Sequence, residues 1–377
     1  MTVMSKSNNT GEEPLTIVAY VSDHWEHVCP TIRISGPAEQ AGIQLIRGND
    51  WLNGSLRVYP ERVSQADIVL IQRDFPSHVD EYNTVASEAQ IKNKVLVYEM
   101  DDLLTELPEQ HPDIYHYITA RTAIMRAVVE ADAVVGSTPA ICNYLRRFND
   151  YTHLFHNYLD DQLYQLNPPT GSQDSPLVIG YMGGHSHAYD LKMIAPILEN
   201  ILGKYGDHIL LRFWGVAPPP TIQHRDNVER ISPDLLDYAK FASNFLFQAF
   251  DIFIAPLANN LFNQCKSHLK FLEYSALGVP GVYSRITPYE NIVIHGENGY
   301  LASTQDEWER YLRTLIENPA LRTQIGINAQ ETVRSKWMLS QHVNLWTDLY
   351  HQLSASGKQS DKSEIPINLS QKSYDWQ

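Results

Sequence analysis

The chain has 377 residues, a hydrophobic content of 43% and a formal net charge of −15 at pH 7. This length suits two hydrophobic cores, and the composition excludes a wholly disordered chain. Because a phosphate backbone would be repelled by the average surface, we expect no nucleic acid partner. The polar first residues, the absence of a bilayer-length apolar run and the three scattered cysteines predict a cytoplasmic protein without disulfides or a zinc site.

Short apolar runs alternate with amphipathic stretches through the first part of the chain. Strands are predicted at Thr16–Val21, Asp67–Gln72, Lys94–Tyr98 and Ala133–Gly136, and helices at Tyr117–Glu130 and Pro139–Phe148. Apolar runs without alternation are typical of parallel strands that are covered on both faces. The pattern therefore predicts a doubly wound, Rossmann-like α/β domain over residues 15–160, after a disordered N-terminus over 1–14.

A second series of the same kind follows a stretch rich in Pro, Gly and Ser, which predicts a linker over 161–176. Strands are predicted at Leu177–Met182, Ile209–Trp214, Asp251–Pro256 and Gly281–Tyr283, and helices at Asp190–Leu202, Leu235–Gln248, His268–Leu277, Gln305–Asn318 and Ala320–Val333. We assign the second Rossmann-like domain to 177–338, a closing helix to 339–353 and a disordered tail to 354–377. Ligands of open α/β sheets bind beyond the carboxyl ends of the strands, so two such domains predict a cleft with one substrate on each wall.

The strongest functional signal follows the predicted strand at Asp251–Pro256. It reads Asn263-Gln-Cys-Lys266-Ser267-His-Leu-Lys270-Phe-Leu-Glu273. A helix that starts near Lys266 or Ser267 would direct free backbone N–H groups and a positive charge at an anion. Lys270 and Glu273 lie one helical turn apart. The structural alternatives are that Ser267 is only an N-cap and that Lys270 and Glu273 form an ordinary surface ion pair.

This segment resembles the donor motif of the retaining GT-B glycosyltransferases known as glycosyl transferases group 1. Their motif has a Glu, seven residues, a second Glu and a small-residue stretch that ends in Gly-x-Pro, and Glu273 to Pro280 resembles its second half. The resemblance implies that Glu273 binds the donor ribose. The leading Glu would fall at Cys265, and the Asn263-x-x-Lys266-Ser267 pattern instead resembles a subgroup of polysaccharide-assembly transferases.

Further segments in matching order extend the resemblance over roughly residues 16–353. They are Ala131–Pro139, His156–Asp160, Gly296–Leu301 and Leu339–Leu353. Gly183 and Gly184 follow a predicted strand and allow the backbone to approach a diphosphate closely. The donor site implied by the resemblance consists of Gly183, Gly184, His187, Asn263, Lys266, Ser267, Lys270 and Glu273.

Asp101 and Asp102 follow a predicted strand of the first domain, where the family carries a catalytically important His. The resemblance implies that Asp101 or Asp102 replaces this His, and that Lys266 stabilises the leaving diphosphate. Capping of a following helix is the structural alternative for both carboxylates. Arg33, in the first strand–helix turn, is predicted to bind an anionic acceptor or the donor. GT-B enzymes generally need no bound cation, so we expect no metal and no cofactor beyond the nucleotide-diphosphate sugar co-substrate.

The resemblance thus implies a GT-B, hexosyltransferase-like enzyme that acts with retention on a glycan or lipid-linked acceptor. Surface or extracellular polysaccharide assembly is the expected setting, with transient docking at the inner face of a membrane that carries the acceptor. Because the leading Glu is missing, the alternative is a catalytically silent GT-B subunit with a binding or regulatory role.

Overall fold

The computed structural model describes residues 14–166, 176–232 and 237–358. The segments predicted to be disordered at 1–14 and 354–377, and the linker predicted at 161–176, lie largely outside these ranges. The described residues form two α/β domains, each built around a six-stranded parallel sheet. Within the described ranges, no helix is long and apolar enough to cross a membrane.

The first domain surrounds a sheet with the strand order β2-β1-β5-β6-β7-β8. Its strands are β1 (Thr16–Tyr20), β2 (Gln44–Arg47), β3 (Asn49–Leu52), β4 (Ser55–Val58), β5 (Ile68–Gln72), β6 (Val95–Met100), β7 (Ala133–Gly136) and β8 (Thr152–Leu154). Its helices are α1 (Val28–Pro30), α2 (Gly36–Ala41), α3 (Val79–Ile91), α4 (Ile114–Glu130) and α5 (Pro139–Leu145), and a π-helical segment at Thr31–Ser35 joins α1 to α2. Strands β3 and β4 form a separate antiparallel hairpin. The fully buried β5, β6 and β7 lie at the centre of the sheet, as their unbroken apolar sequences predict.

The second domain has the strand order β11-β10-β9-β12-β13-β14, which is the order of a dinucleotide-binding fold. Its strands are β9 (Leu177–Gly183), β10 (Ile209–Gly215), β11 (Val228–Ile231), β12 (Ile252–Ala255), β13 (Gly281–Ser284) and β14 (Tyr300–Ala302). Its helices are α6 (Ala188–Tyr205), α7 (Tyr238–Leu246), α8 (Leu261–Gln264), α9 (Leu269–Ala276), α10 (Thr287–Glu290), α11 (Gln305–Glu317) and α12 (Pro319–Lys336). The strand order reverses direction between β9 and β12, and a crevice opens beyond the carboxyl ends of strands at such a point.

The last helix, α13 (Val343–Ser356), returns to the first domain and packs against α2. Trp346 and Tyr350 belong to the core beneath the first sheet. The helix was predicted over 339–353, but Leu339–Gln341 is a separate 3-10 turn that precedes it. The chain thus crosses between the domains twice, and residues 159 and 337–339 are joined there by backbone hydrogen bonds.

The helix that carries Lys270 and Glu273 matches the predicted range His268–Leu277, but it begins later than the start near Lys266 or Ser267 that the anion-binding argument assumed. α8 ends at Gln264, a turn follows, and α9 begins at Leu269 with His268 at its N-cap. The prediction of a helix start at Lys266 or Ser267 is therefore wrong, and so is the N-cap alternative for Ser267. Instead, the Ser267 hydroxyl oxygen accepts a hydrogen bond from Asn157 Nδ2 at 2.9 Å. This bond joins the turn to the crossover segment between the domains (His156–Asp160), to which Asn157 belongs.

Candidate active site

A cavity of about 290 Å³ lies between the two domains, beyond the carboxyl ends of their central strands. From the first domain and the crossover it is lined by Val28, Cys29, Ile32, Asp101, Asp102 and Asn157. From the second domain it is lined by Met182, Gly183, Gly184, His187, Trp214, Tyr238, Phe241, Leu257, Lys266, Ser267, Leu269, Lys270, Glu273 and Tyr289. The structure therefore brings together most of the predicted site residues from both halves of the chain.

Lys266 and Asp102 form an ion pair across the cleft, with Lys266 Nζ 3.3 Å from Asp102 Oδ1. Burial opposes ionisation of the Asp102 carboxyl, but Lys266 and Arg73 outweigh it and hold the pKa of Asp102 below its usual range. The Lys266 ammonium also lies 4.3 Å from the centre of the Phe262 ring. Lys266 thus brings a full positive charge to a largely buried position where the two domains meet.

A second cation, Lys270, stands beside it on α9. Burial and the nearby Lys266 lower the pKa of Lys270 to about 8. Its Nζ lies 3.1 Å from His187 Nε2, and His187 Nδ1 lies 3.0 Å from Asp190 Oδ2. Burial and Lys270 lower the pKa of His187 to about 4, so the ring is neutral near pH 7. We assign its proton to Nδ1, since Nε2 then accepts from Lys270 and Nδ1 donates to Asp190.

Asn263 supports this network and does not line the cavity. Its Nδ2 donates to Asp190 Oδ1 and to the Ala258 carbonyl oxygen, both at 2.9 Å. Both amide hydrogens are used in this way, and the side chain is buried. The prediction that Asn263 binds the donor is therefore not supported. Its role is to fix Asp190, which in turn orients His187.

Glu273 lies at the inner end of the cavity and is only 3% exposed. Its Oε1 accepts a hydrogen bond from the Tyr238 hydroxyl at 2.9 Å, and the Tyr164 hydroxyl lies 3.2 Å from the same oxygen. Burial raises the pKa of Glu273 to about 7, although both hydrogen bonds and Lys270 act in the opposite direction. The alternative of an ordinary surface ion pair between Lys270 and Glu273 is therefore wrong, because Glu273 is buried and Lys270 lines the same cavity.

The glycine pair leaves open space at the end of β9. A Cβ atom added to Gly184 would meet no atom within 4 Å, whereas one added to Gly183 would lie 2.9 Å from the Tyr181 hydroxyl. Gly183 is therefore required for packing, and Gly184 exposes its backbone to the cleft. A diphosphate group can approach such a backbone closely.

Arg33 does not face the cavity. Its Nε donates to Glu99 Oε1 at 2.7 Å, and its Nη1 donates to the Phe155 carbonyl oxygen and to Asn157 Oδ1. The side chain is 1% exposed. The prediction that Arg33 binds the acceptor or the donor is therefore wrong, because the side chain is buried and its Nε and Nη1 are bonded within the first domain and the crossover.

A different arginine, Arg73, directly follows β5 and was not among the predicted site residues. Its Nη1 pairs with Asp101, and Tyr98 donates a hydrogen bond to its carbonyl oxygen. Arg73 has a φ of 51°, a left-handed conformation that is uncommon outside glycine. Its place at the carboxyl end of a central strand is a signal that could have identified it. Asp101 consequently lines the cavity as a carboxylate held by a buried guanidinium.

Cys265, which the resemblance aligns with the leading Glu of the donor motif, is 2% exposed and packs against the core of the first domain. The Thr138 hydroxyl donates to its carbonyl oxygen at 2.8 Å. Burial raises the pKa of the Cys265 thiol to about 12, so it carries no charge near neutral pH. Among residues 14–166, 176–232 and 237–358, no group of three or more His, Cys, Asp or Glu side chains is placed to hold a metal ion.

Comparison with known proteins supports the reading of the second domain. Residues 176–318 match the family model described as Glycosyl transferases group 1. The matched range contains the glycine turn, both cavity lysines and Glu273. No curated protein sequence matches the chain.

Solved structures match nearly the whole chain at low identity. Sucrose-phosphate synthase from Thermosynechococcus elongatus superposes with a TM-score of 0.67 at 14% identity, over 91% of this chain and 100% of that one. HepE from Anabaena, in complex with UDP and glucose, gives a TM-score of 0.62 at 16% identity, over 89% and 99%. A mutant of S. aureus TarM, in complex with fondaparinux, alpha-GlcNAc-glycerol and UDP, gives 0.56 at 12% identity, over 80% and 62%. The prediction of the fold is thereby confirmed: the chain has the GT-B fold, and residues 176–318 resemble a glycosyl transferases group 1 domain.

Proposed function

We propose that the protein is a glycosyltransferase that moves a sugar from a nucleotide-diphosphate sugar to a glycan or lipid-linked acceptor. Retention of configuration and a place in surface or extracellular polysaccharide biosynthesis, at the inner face of a membrane, follow from the family resemblance and form part of the proposal. The observation that carries it is the interdomain cavity, where two lysines stand beside an open glycine turn and a buried carboxylate. A fold alone does not establish an activity, so the proposal rests on the chemistry of these side chains.

The diphosphate of the donor lies between the backbone of Gly184 and the ammonium groups of Lys266 and Lys270. Binding of this anion would draw Lys266 away from Asp102, to which it is paired in the cleft. As the bond to the sugar breaks, negative charge grows on the diphosphate, and a buried cation stabilises that charge more strongly than an exposed one does. Lys266 therefore has the role of stabilising the leaving group.

The nucleoside occupies the inner part of the cavity. Glu273 lies there with an apolar wall formed by Trp214, Phe241 and Leu257, and a wall of this kind suits a flat base. The carboxylate of Glu273 accepts hydrogen bonds from the ribose hydroxyls. The HepE structure holds UDP and glucose, which makes uridine nucleotides the first donors to test.

The acceptor approaches from the first domain, where Asp101 and Asp102 line the opposite wall. Asp101 is held by Arg73 and is suited to orient a sugar hydroxyl of the donor or of the acceptor. The first domain thus offers two carboxylates at this wall, and Arg73 pairs with Asp101 without lining the cavity itself. Orientation of the two substrates then contributes much of the rate.

Cys265 favours the second candidate, a silent GT-B subunit with a binding or regulatory role. A small, buried and neutral side chain stands where the family has a Glu, so that contact to the donor is lost. A silent subunit would bind the donor and leave it intact. Turnover therefore separates the two candidates, and binding alone does not.

The first experiment is a calorimetric titration of the full chain with UDP, GDP, ADP and CDP. The proposal expects one of them to bind, and expects Lys266→Ala to weaken binding and to reduce turnover of the matching nucleotide sugar still more. Lys204→Ala is the matched control, because Lys204 is also paired with a carboxylate but on the exposed surface. If the folded protein binds none of the four nucleotides, the proposed function is wrong.

A further inference from the structure

Two buried tyrosines converge on one oxygen of Glu273. Tyr238 donates to Oε1 at 2.9 Å, while the Tyr164 hydroxyl lies 3.2 Å from that oxygen and 3.1 Å from the Tyr238 hydroxyl. The three residues come from separate elements: Tyr164 follows the crossover, Tyr238 begins α7, and Glu273 lies within α9. The backbone N–H of Tyr238 also donates to the Glu26 carbonyl oxygen of the first domain at 2.8 Å. The tyrosine pair therefore ties the carboxylate to both sides of the cleft.

The second oxygen of Glu273 is left for another partner. Within the part of the chain that the structure describes, no hydrogen bond reaches Glu273 Oε2, although the residue lines the cavity. Since Glu273 lines the cavity, Oε2 is open to a ligand hydroxyl, and a hydrogen bond from a hydroxyl to a carboxylate is among the stronger ones.

We propose that Tyr164 and Tyr238 are positioning residues that fix the carboxylate of Glu273 so that its second oxygen accepts hydrogen bonds from the ribose of the donor. This inference rests on the proposed function. Its consequence is that preference for a ribonucleotide over its 2′-deoxy analogue depends on pH near neutrality and on the tyrosine hydroxyls.

The electrostatic surroundings of Glu273 give the direction of this effect. Burial raises the pKa of Glu273 to about 7, whereas the hydroxyls of the tyrosine pair and the nearby Lys270 act to lower it. Tyr274 and Tyr289 also face the carboxyl, and burial raises the pKa of both phenols, so they remain neutral. Loss of a tyrosine hydroxyl therefore raises the pKa of Glu273 further, and the carboxyl ionises only at higher pH.

The hydroxyls of Tyr238 and Tyr164 are expected to affect the pKa of Glu273 to different extents. Tyr238 is placed to give its proton to Glu273, whereas the single proton of Tyr164 is shared between Glu273 and the Tyr238 oxygen. Removal of the Tyr238 hydroxyl should accordingly have the larger effect. Phenylalanine keeps the ring at either position, including the stack of Tyr238 on Phe241 at 5.9 Å between ring centres.

The test measures the ratio of dissociation constants for a 2′-deoxynucleoside diphosphate and its ribo form between pH 6 and pH 9. The probe is UDP with 2′-deoxy-UDP, or the corresponding pair for whichever of GDP, ADP and CDP binds. Both members of a pair carry the same diphosphate, so titration of the phosphate and the direct contacts of the diphosphate with Lys270 cancel in the ratio. The proteins are the unmodified chain, Tyr238→Phe, Tyr164→Phe and the control Tyr205→Phe, which removes a tyrosine–carboxylate hydrogen bond on the surface.

For the unmodified chain we expect the ribose preference to be roughly tenfold at pH 8.5 and to fall to a few-fold at pH 6, because hydrogen bonds to an ionised carboxylate are the stronger ones. In Tyr238→Phe the midpoint of this change should move up by roughly one pH unit, with a smaller shift in Tyr164→Phe. The control should leave the midpoint unchanged.

A merely structural role predicts a lower melting temperature with an unmoved midpoint, and that result in a folded Tyr238→Phe or Tyr164→Phe overturns the inference. If UDP, GDP, ADP and CDP all fail to bind the unmodified chain at any pH, both the proposed function and this inference are wrong. Binding of a nucleotide without any pH-dependent ribose preference refutes the inference alone.

Discussion

Replacement of Arg33 by Met separates the predicted acceptor role of this arginine from the structural role that its contacts indicate. The side chain is 1% exposed and donates to Glu99, to the Phe155 carbonyl oxygen and to Asn157. Arg33→Met keeps much of the aliphatic volume of the side chain. The buried Glu99 carboxyl then loses its bond from Arg33 and keeps the hydrogen bond from Gln72. The main cost is therefore an unpaired buried carboxylate.

Loss of one partner of a buried ion pair typically costs about 3–5 kcal/mol. For a domain of this size, such a loss corresponds to a fall in melting temperature of roughly 6–20 °C. Burial already raises the pKa of Glu99, although Arg33 acts to lower it, and removal of Arg33 raises that pKa further. Burial of a neutral carboxyl costs less free energy than burial of a charged one. The destabilisation caused by Arg33→Met should therefore be larger at pH 8 than at pH 5.

Thermal denaturation of four proteins tests this reasoning: the unmodified chain, Arg33→Met, Glu99→Gln and the double variant. The double variant should lose less stability than the sum of the single losses, because neither group is then left charged and unpaired. Arg47→Met is the control, since the ion pair of Arg47 with Glu26 is half exposed and should be worth no more than about 1 kcal/mol. An Arg33→Met protein that melts like the parent, yet has lost acceptor binding, would refute the structural role.

Three further outcomes follow from the site. Glu273→Ala should weaken binding of a nucleoside diphosphate by about 1.5–3 kcal/mol, measured by calorimetry; unchanged affinity would remove Glu273 from the donor site. Turnover, once detected, should survive excess EDTA, and loss that manganese or magnesium restores would assign Asp101 and Asp102 to a metal. Cys265→Glu should cost about 3 kcal/mol or more in stability because it buries an unpaired charge, with Cys265→Ser as the milder control; a Cys265→Glu protein as stable as the parent would contradict the burial of this position.

The sequence allowed the central strands to be predicted because they are covered on both faces and therefore apolar throughout. The edge strands β2 and β11 were missed for the opposite reason. Their sequences, QLIR and VERI, are half exposed and carry charges, and nothing local distinguishes them from loops. Strand pairing with an already formed core defines them, and that is a long-range effect.

Within the site, too, features set by residues close in the chain were predicted, and features set by distant residues were not. The segment proposed to bind the donor was recognisable because its lysines and Glu273, which line the cavity, are close together in the chain. The turn that presents Lys266 and Ser267 was mispredicted, since its partners, Asp102 and Asn157, belong to the other domain and the crossover. Arg33 was misassigned because its buried partner Glu99 is 66 residues away. Without a known buried partner of opposite charge, a charged side chain is predicted to lie at the surface.

The most direct test of the proposed activity is release of nucleoside diphosphate from a panel of UDP-, GDP- and ADP-sugars during long incubation with the full chain. We expect release from at least one nucleotide sugar, a marked loss of that release in Lys266→Ala, and release at the parental rate in Lys204→Ala. Binding of a nucleotide sugar with no release, with or without glycan acceptors, would contradict the enzyme and identify the protein as the silent GT-B subunit.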